Sequence, residues 1–222
     1  MYYANPNIRS HSQVRQTDYS ILVTGDGTVS VEPNQAVVTL GVITEDSNLQ
    51  KAQRENAEST NNIIQALLQE NIPRHHIQTY DYRMDIQYDY DEGIQIFRGY
   101  RVTNLLEVII EPIDKVGLII DTAVDYGANT VRNIQLTVAN QDRYYLEALQ
   151  KAVENTQIKA SIIAQELGVS ISSIPYSLKE ISRREESESR PVVLGVSTDS
   201  PITPIEPGRL AIKAKVEAEF RY

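Results

Sequence analysis

The side chains that could carry chemistry in this chain are few and scattered. It has three histidines and no cysteine. His75 and His76 stand side by side after Pro73, and His11 lies near the start. No Ser or Thr sits in a Gly-x-Ser-x-Gly elbow that could give these imidazoles a nucleophile to activate. Gly25-Asp26-Gly27 has the glycines of a phosphate cradle. Such a cradle needs a helix N-terminus directly after it, whereas here β-branched residues and Pro33 follow, so the triplet reads as a turn or a strand bulge. Asp85, Asp89, Asp91 and Glu92 offer oxygens to a hard cation, but Tyr100 stands about eleven residues after Asp89, where a calcium loop needs its closing carboxylate. They read as a solvated strand face and turn. No catalytic residue, metal site or cofactor is expected.

Two groups remain as candidates for binding rather than catalysis. Asn56 and Thr60 take inward positions in a helical pattern, with a helix half covered by the sheet as the first expectation and a polar face for a small ligand or peptide as the second. Tyr80, Tyr82, Tyr88 and Tyr90 share one side of a long alternating segment, with core packing as the first expectation and a subunit interface as the second.

The elements that must position these residues follow from periodicity. Ile21, Val23, Val29 and Val31 have one parity around the glycines, and after the turn at Glu32-Pro33-Asn34-Gln35 a new strand puts Val38, Leu40 and Val42 on one face, which predicts a hairpin. Ser47 is the expected cap of a helix over 48–70, with Leu49, Ala52, Ile63, Ala66 and Leu67 inward and Pro73 beyond its end. Tyr80–Tyr90 alternates apolar with charged residues, and Asp91-Glu92-Gly93 turns it back into a partner strand over 100–111. A helix over 114–126 buries Val116, Ile119, Ile120 and Ala123, and Gly127 ends it. A strand over 131–139 follows. From Ala36 the order is thus strand, helix, strand, strand, helix, strand, the ferredoxin-like β-α-β-β-α-β arrangement of an α+β fold with an antiparallel or mixed sheet. A long third helix over 142–167 carries a seam of Leu146, Leu149, Val153, Thr156, Ala160, Ile163 and Leu167. Strands over 169–182 and 210–220 complete the chain.

Composition narrows the class. A net charge of −9 disfavours a phosphate backbone as partner. The longest apolar runs fall far short of a membrane span. Residues 1–18 read as a flexible polar tail without the apolar run of an export signal, so the expectation is a cytoplasmic protein, with the cell envelope or export as the alternative. Residues 19–222 read as a single domain, with an exposed proline-rich arm at about 183–208.

The segments Val23-Thr24-Gly25-Asp26-Gly27-Thr28-Val29-Ser30-Val31-Glu32-Pro33, Leu40-Gly41-Val42, Ala52-Gln53-Arg54-Glu55-Asn56-Ala57, Tyr100-Arg101-Val102-Thr103-Asn104, Gly127-Ala128-Asn129 and Thr203-Pro204-Ile205-Glu206-Pro207-Gly208 together resemble the SIMPL domain family of mostly bacterial proteins. The resemblance covers about residue 19 to 222. It implies a mixed α+β domain, a tendency to form ring-like homo-oligomers, an association with the periplasm or envelope and with stress tolerance, and no established enzyme activity. The expected partner is therefore a second copy of the chain.

Overall fold

The computed structural model describes residues 19–182 and 203–222, so the expected tail and most of the expected arm lie outside the described residues. Among the described residues the fold is α+β, with three α-helices and two sheets, and the chain divides into two compact units.

The first unit, Val29–Glu147 with Glu185–Ile212, is built on a four-stranded antiparallel sheet. Its strands are β2 (Gln35–Asp46), β3 (Ile77–Asp91), β4 (Ile94–Ile110) and β5 (Thr130–Thr137), in the order β3-β4-β2-β5. With α1 (Leu49–Gln69) between β2 and β3, and α2 (Val116–Asp125) between β4 and β5, the expected strand and helix order is present. Both helices bury their apolar stripes on one face. Ile63 and Leu67 of α1 and Val116, Ile119, Ile120 and Ala123 of α2 join Ala36, Val38, Leu40, Val42, Leu106, Val108 and Ile110 in one core. Burying a Val, Ile or Leu side chain contributes about 1.5–3 kcal/mol, so this cluster is the main source of the unit's stability.

The cap of α1 is Asn48 rather than Ser47, its Oδ1 accepting from the Lys51 N–H at 3.0 Å. Asp46 reinforces that corner by accepting from the Asn48 N–H and from Lys51 Nζ. The Lys51 bond, followed by the Asn48 one, holds the Asp46 carboxyl below its ordinary pKa, and the same contact raises the Lys51 ammonium.

The second unit, Met1–Thr28, Ala148–Arg184 and Lys213–Tyr222, holds most of a three-stranded sheet in the order β1-β7-β6. These strands are β1 (Ser20–Val31), β6 (Ser177–Ser182) and β7 (Leu210–Arg221), and α3 (Gln141–Leu167) runs into this unit. The expected hairpin between 21–31 and 36–44 does not form, because β1 lies in the β7 sheet and β2 in the other. The turn between them is tied elsewhere: the Asn34 N–H donates to the Thr137 carbonyl, and Asn34 Oδ1 accepts from the Ala139 N–H. The strand expected over 169–182 is confined to Ser177–Ser182.

The seam expected along α3 is corrected except at Thr156 and Ala160. Its buried stripe is Ala148, Ala152, Thr156, Ala160 and Ala164, whereas Leu146, Ile163 and Leu167 are exposed. β1 supplies the reason. It is one unbroken strand, and a Cβ on Gly25 or Gly27 would collide with the backbone carbonyl oxygen of Ala152 or Ala148. A helix this close to a strand backbone accepts only small side chains at the contact.

Candidate functional site

The segments that suggested a family each turn out to hold elements together. The Gly25-Asp26-Gly27 triplet is neither a cradle nor a turn but the seat of α3 on β1. Between the glycines, the Asp26 N–H donates to Asn155 Oδ1 at 3.2 Å, and the Asp26 carboxylate faces Lys159 and Lys215. Lys159 also donates to the Thr24 carbonyl at 2.7 Å.

Asn56 lies under the first unit's sheet, 1 % exposed. Its Nδ2 donates at 3.1 Å to the carbonyls of both Val42 and Val102, so one side chain ties α1 to β2 and β4. Thr60, one turn later, is buried as well. The two residues read as a polar face are therefore inside the α1–sheet interface. Asn56 Oδ1, Thr60 Oγ1 and Asn104 Oδ1 are buried there without a protein partner.

Gly127-Ala128-Asn129 extends the sheet just ahead of the first residue of β5. Asn129 Nδ2 donates to the Ile43 carbonyl at 2.7 Å, its Oδ1 accepts from the Ile43 N–H at 2.9 Å, and its own N–H donates to the Gly41 carbonyl. Gly127 makes this possible with a φ of 110° and a path beside Ser59 of α1. Thr203, at the start of the last shared segment, donates from its N–H and its Oγ1 to the two carboxylate oxygens of Asp121 on α2, at 2.9 and 2.6 Å. Ile205 then packs on the first unit's core. This described end of the expected arm is strapped to its own chain.

The tyrosines are where the core expectation fails. Tyr80, Tyr82, Tyr88 and Tyr90 are exposed, as are Met84, Ile86, Ile94, Ile96 and Phe97, all at 40 to 73 %. β2 pairs with β4 only as far as Tyr100, whereas β3 and β4 continue pairing to Asp91 and Ile94. The two strands thus run past the sheet as a two-stranded arm. Its rings meet edge to face, Tyr88 with Phe97 across the strands and Phe97 with Tyr100 along β4, with ring centroids 6.4 and 5.3 Å apart. Its base is fixed: Arg98 and Arg101 both pair with Glu45, and Gly99 passes against the Asp46 backbone. Alternation gave Tyr82, Met84, Ile86, Tyr88 and Tyr90 a common face correctly, but period two cannot say whether anything covers that face.

His75 and His76 meet edge to face at 4.5 Å beside the start of β3. Among the described residues, no group of three or more His, Asp or Glu is placed to hold a metal ion, and no helix is long and apolar enough to cross a membrane.

The chain is 28 % identical over 144 residues to the uncharacterized protein YggE of Escherichia coli K12, covering 65 % of this chain and 58 % of YggE. It is 25 % identical over 186 residues to the 26 kDa periplasmic immunogenic protein of Brucella melitensis, covering 82 % of this chain and 74 % of that one. The chain thus spans somewhat over half the length of YggE. The profile of the SIMPL family, described as a protein of unknown function (DUF541), matches residues 21–220, and the chain belongs to that family.

Proposed function

We propose that this protein acts by self-assembly rather than by catalysis, as a homo-oligomer whose copies meet through the β3–β4 arm. The observation carrying this reading is the exposed apolar surface of that arm. An isolated two-stranded ribbon is marginally stable in water, and large exposed apolar patches mark interaction sites. Nine large apolar side chains at 40 to 73 % exposure on one hairpin are more than solubility tolerates without a use. The motifs shared with the family bind element to element, which supports a structural role for them.

A place at the cell envelope and a part in stress tolerance complete the proposal. The Brucella relative's description as periplasmic supports the envelope. The test is the native mass by size-exclusion chromatography with light scattering at micromolar concentration. A multiple of the 25.0 kDa chain mass is expected, and a clean monomer would overturn the reading.

A further inference from the structure

We infer that the helix-side face of the β3–β4 arm receives the C-terminal half of α3 from a second copy of the chain, in a head-to-tail contact. This rests on the self-assembly reading and goes further by naming the two surfaces.

The face is fixed by register. Thr44, paired with Val102, donates to the Ala52 carbonyl of α1, so this side of the sheet carries the helices. Tyr82, Met84, Ile86 and Tyr88 pair with Asn104, Val102, Tyr100 and Phe97 and so continue the helix side onto β3. The helix layer stops short of them, since α1 packs on β2 and β4 and α2 on β2 and α1. Strands lie about 4.8 Å apart and packed helices about 8–10 Å apart, so the next helix position beyond α1 falls over β3. At about 200 Å² per large side chain, Tyr82, Met84, Ile86, Tyr88, Tyr90 and Phe97 leave on the order of 600 Å² of apolar surface there. That is most of the roughly 800 Å² per partner in a standard interface.

The edge of β3 is a poorer route to association. It carries register shifts after Thr79 and after Gln87, and charged residues at Asp81, Arg83, Asp85 and Asp89, devices that discourage strand addition. The face has no such protection.

The occupant is α3 because it has the matching surplus. Ile158, Ile162, Ile163 and Leu167 are exposed at 39 to 57 %, and Ile158 and Ile162 lie opposite the alanine stripe. α1 has no exposed large apolar residue. Helix on sheet is also the packing by which both described units are built. A face-to-face pairing of two arms would leave the α3 surface uncovered, whereas one head-to-tail contact covers both. Such contacts repeat, into a ring where the rotation closes and an open filament where it does not.

The experiment uses two variants of the full chain, Ile86→Glu with Tyr88→Glu and Ile158→Glu with Ile162→Glu, each checked for unchanged circular dichroism. Alone, each should be a monomer. Mixed in equal amounts they should form a dimer of about 50 kDa, twice the 25.0 kDa chain mass, because one intact arm and one intact helix remain. If the helix variant assembles like the parent chain, the inference falls while self-assembly stands. If the parent is itself a monomer, both fall.

The absence of cysteine gives a second measurement that needs no disruptive charge. Full chains carrying Tyr88→Cys and Ile162→Cys, mixed and oxidised, should yield mainly the mixed disulfide by mass spectrometry. Predominance of the Tyr88→Cys homodimer would overturn the contact.

Discussion

The side-chain amide of Asn129 pairs with the backbone of Ile43 in both directions, taking the place of a strand residue just ahead of β5. A donor and an acceptor on one planar group are required, which Asn has and Asp lacks. Asn129→Asp should therefore cost more than the loss of one bond, about 1–3 kcal/mol. Hydrogen exchange at the Ile43 amide should accelerate in this variant and in Asn129→Ala.

Asn56 should show the same asymmetry more strongly, because it is buried. Asn56→Ala leaves the Val42 and Val102 carbonyls without their donor, and a loss of about 2–4 kcal/mol is expected. Asn56→Asp should be worse still, since a carboxylate would face two carbonyl oxygens out of water. Urea denaturation of the three proteins gives the order directly.

At the α3 seat the expectation reverses what a phosphate-binding triplet would show. Gly25→Ala and Gly27→Ala insert a methyl group against helix backbone, which cannot rotate away, and should destabilise by about 3 kcal/mol or more. Asp26→Ala removes only exposed ion pairs and should cost less than about 1 kcal/mol. Thermal melts of the three variants separate the two roles.

The Thr203 latch can be tested by a double-mutant cycle. Thr203→Val removes the bond from Oγ1 to Asp121 but keeps the one from the N–H, and should cost about 1 kcal/mol. In an Asp121→Ala background the same change should cost almost nothing. Equal costs in both backgrounds would show that the latch is not a coupled pair.

The Asp46 corner predicts a pH dependence of definite sign. Its pKa is depressed in the folded protein, so the stability it contributes is present above the ordinary carboxylate range and is lost as pH falls through the lower folded value. Asp46→Asn should be less stable than the parent at neutral pH. The difference should shrink as pH falls through the lowered folded value and vanish below it, as read by melting temperature.

Much of this architecture was legible in the residues. The α2 stripe was readable because four apolar residues at helical spacing leave one solution. Strand positions followed from alternation for the same reason. Partnership was not legible: period two gives β1 a buried face but does not choose between β2 and β7, and only the Asn34 anchoring turns the chain away. The α3 stripe is legible only at Thr156 and Ala160, because large apolar residues dominate any hydrophobic pattern, while alanines at 148, 152 and 164 signal little. Two glycines spaced by one residue in a strand were the available clue to a helix demanding small neighbours. Of the candidate site residues, the Asn56 bonds and the exposure of the tyrosines depend on which strands α1 covers, a tertiary fact that no local pattern carries.

The seating of α3 on bare strand backbone has a dynamic consequence. Side chains between a helix and a sheet normally let the helix tilt and slide by small rotamer changes, but peptide groups touching peptide groups leave no such intermediate positions. The helix is either seated or released. β1 and α3 should therefore open together as one cooperative event, and the amides exposed by it should share a single opening free energy in hydrogen exchange.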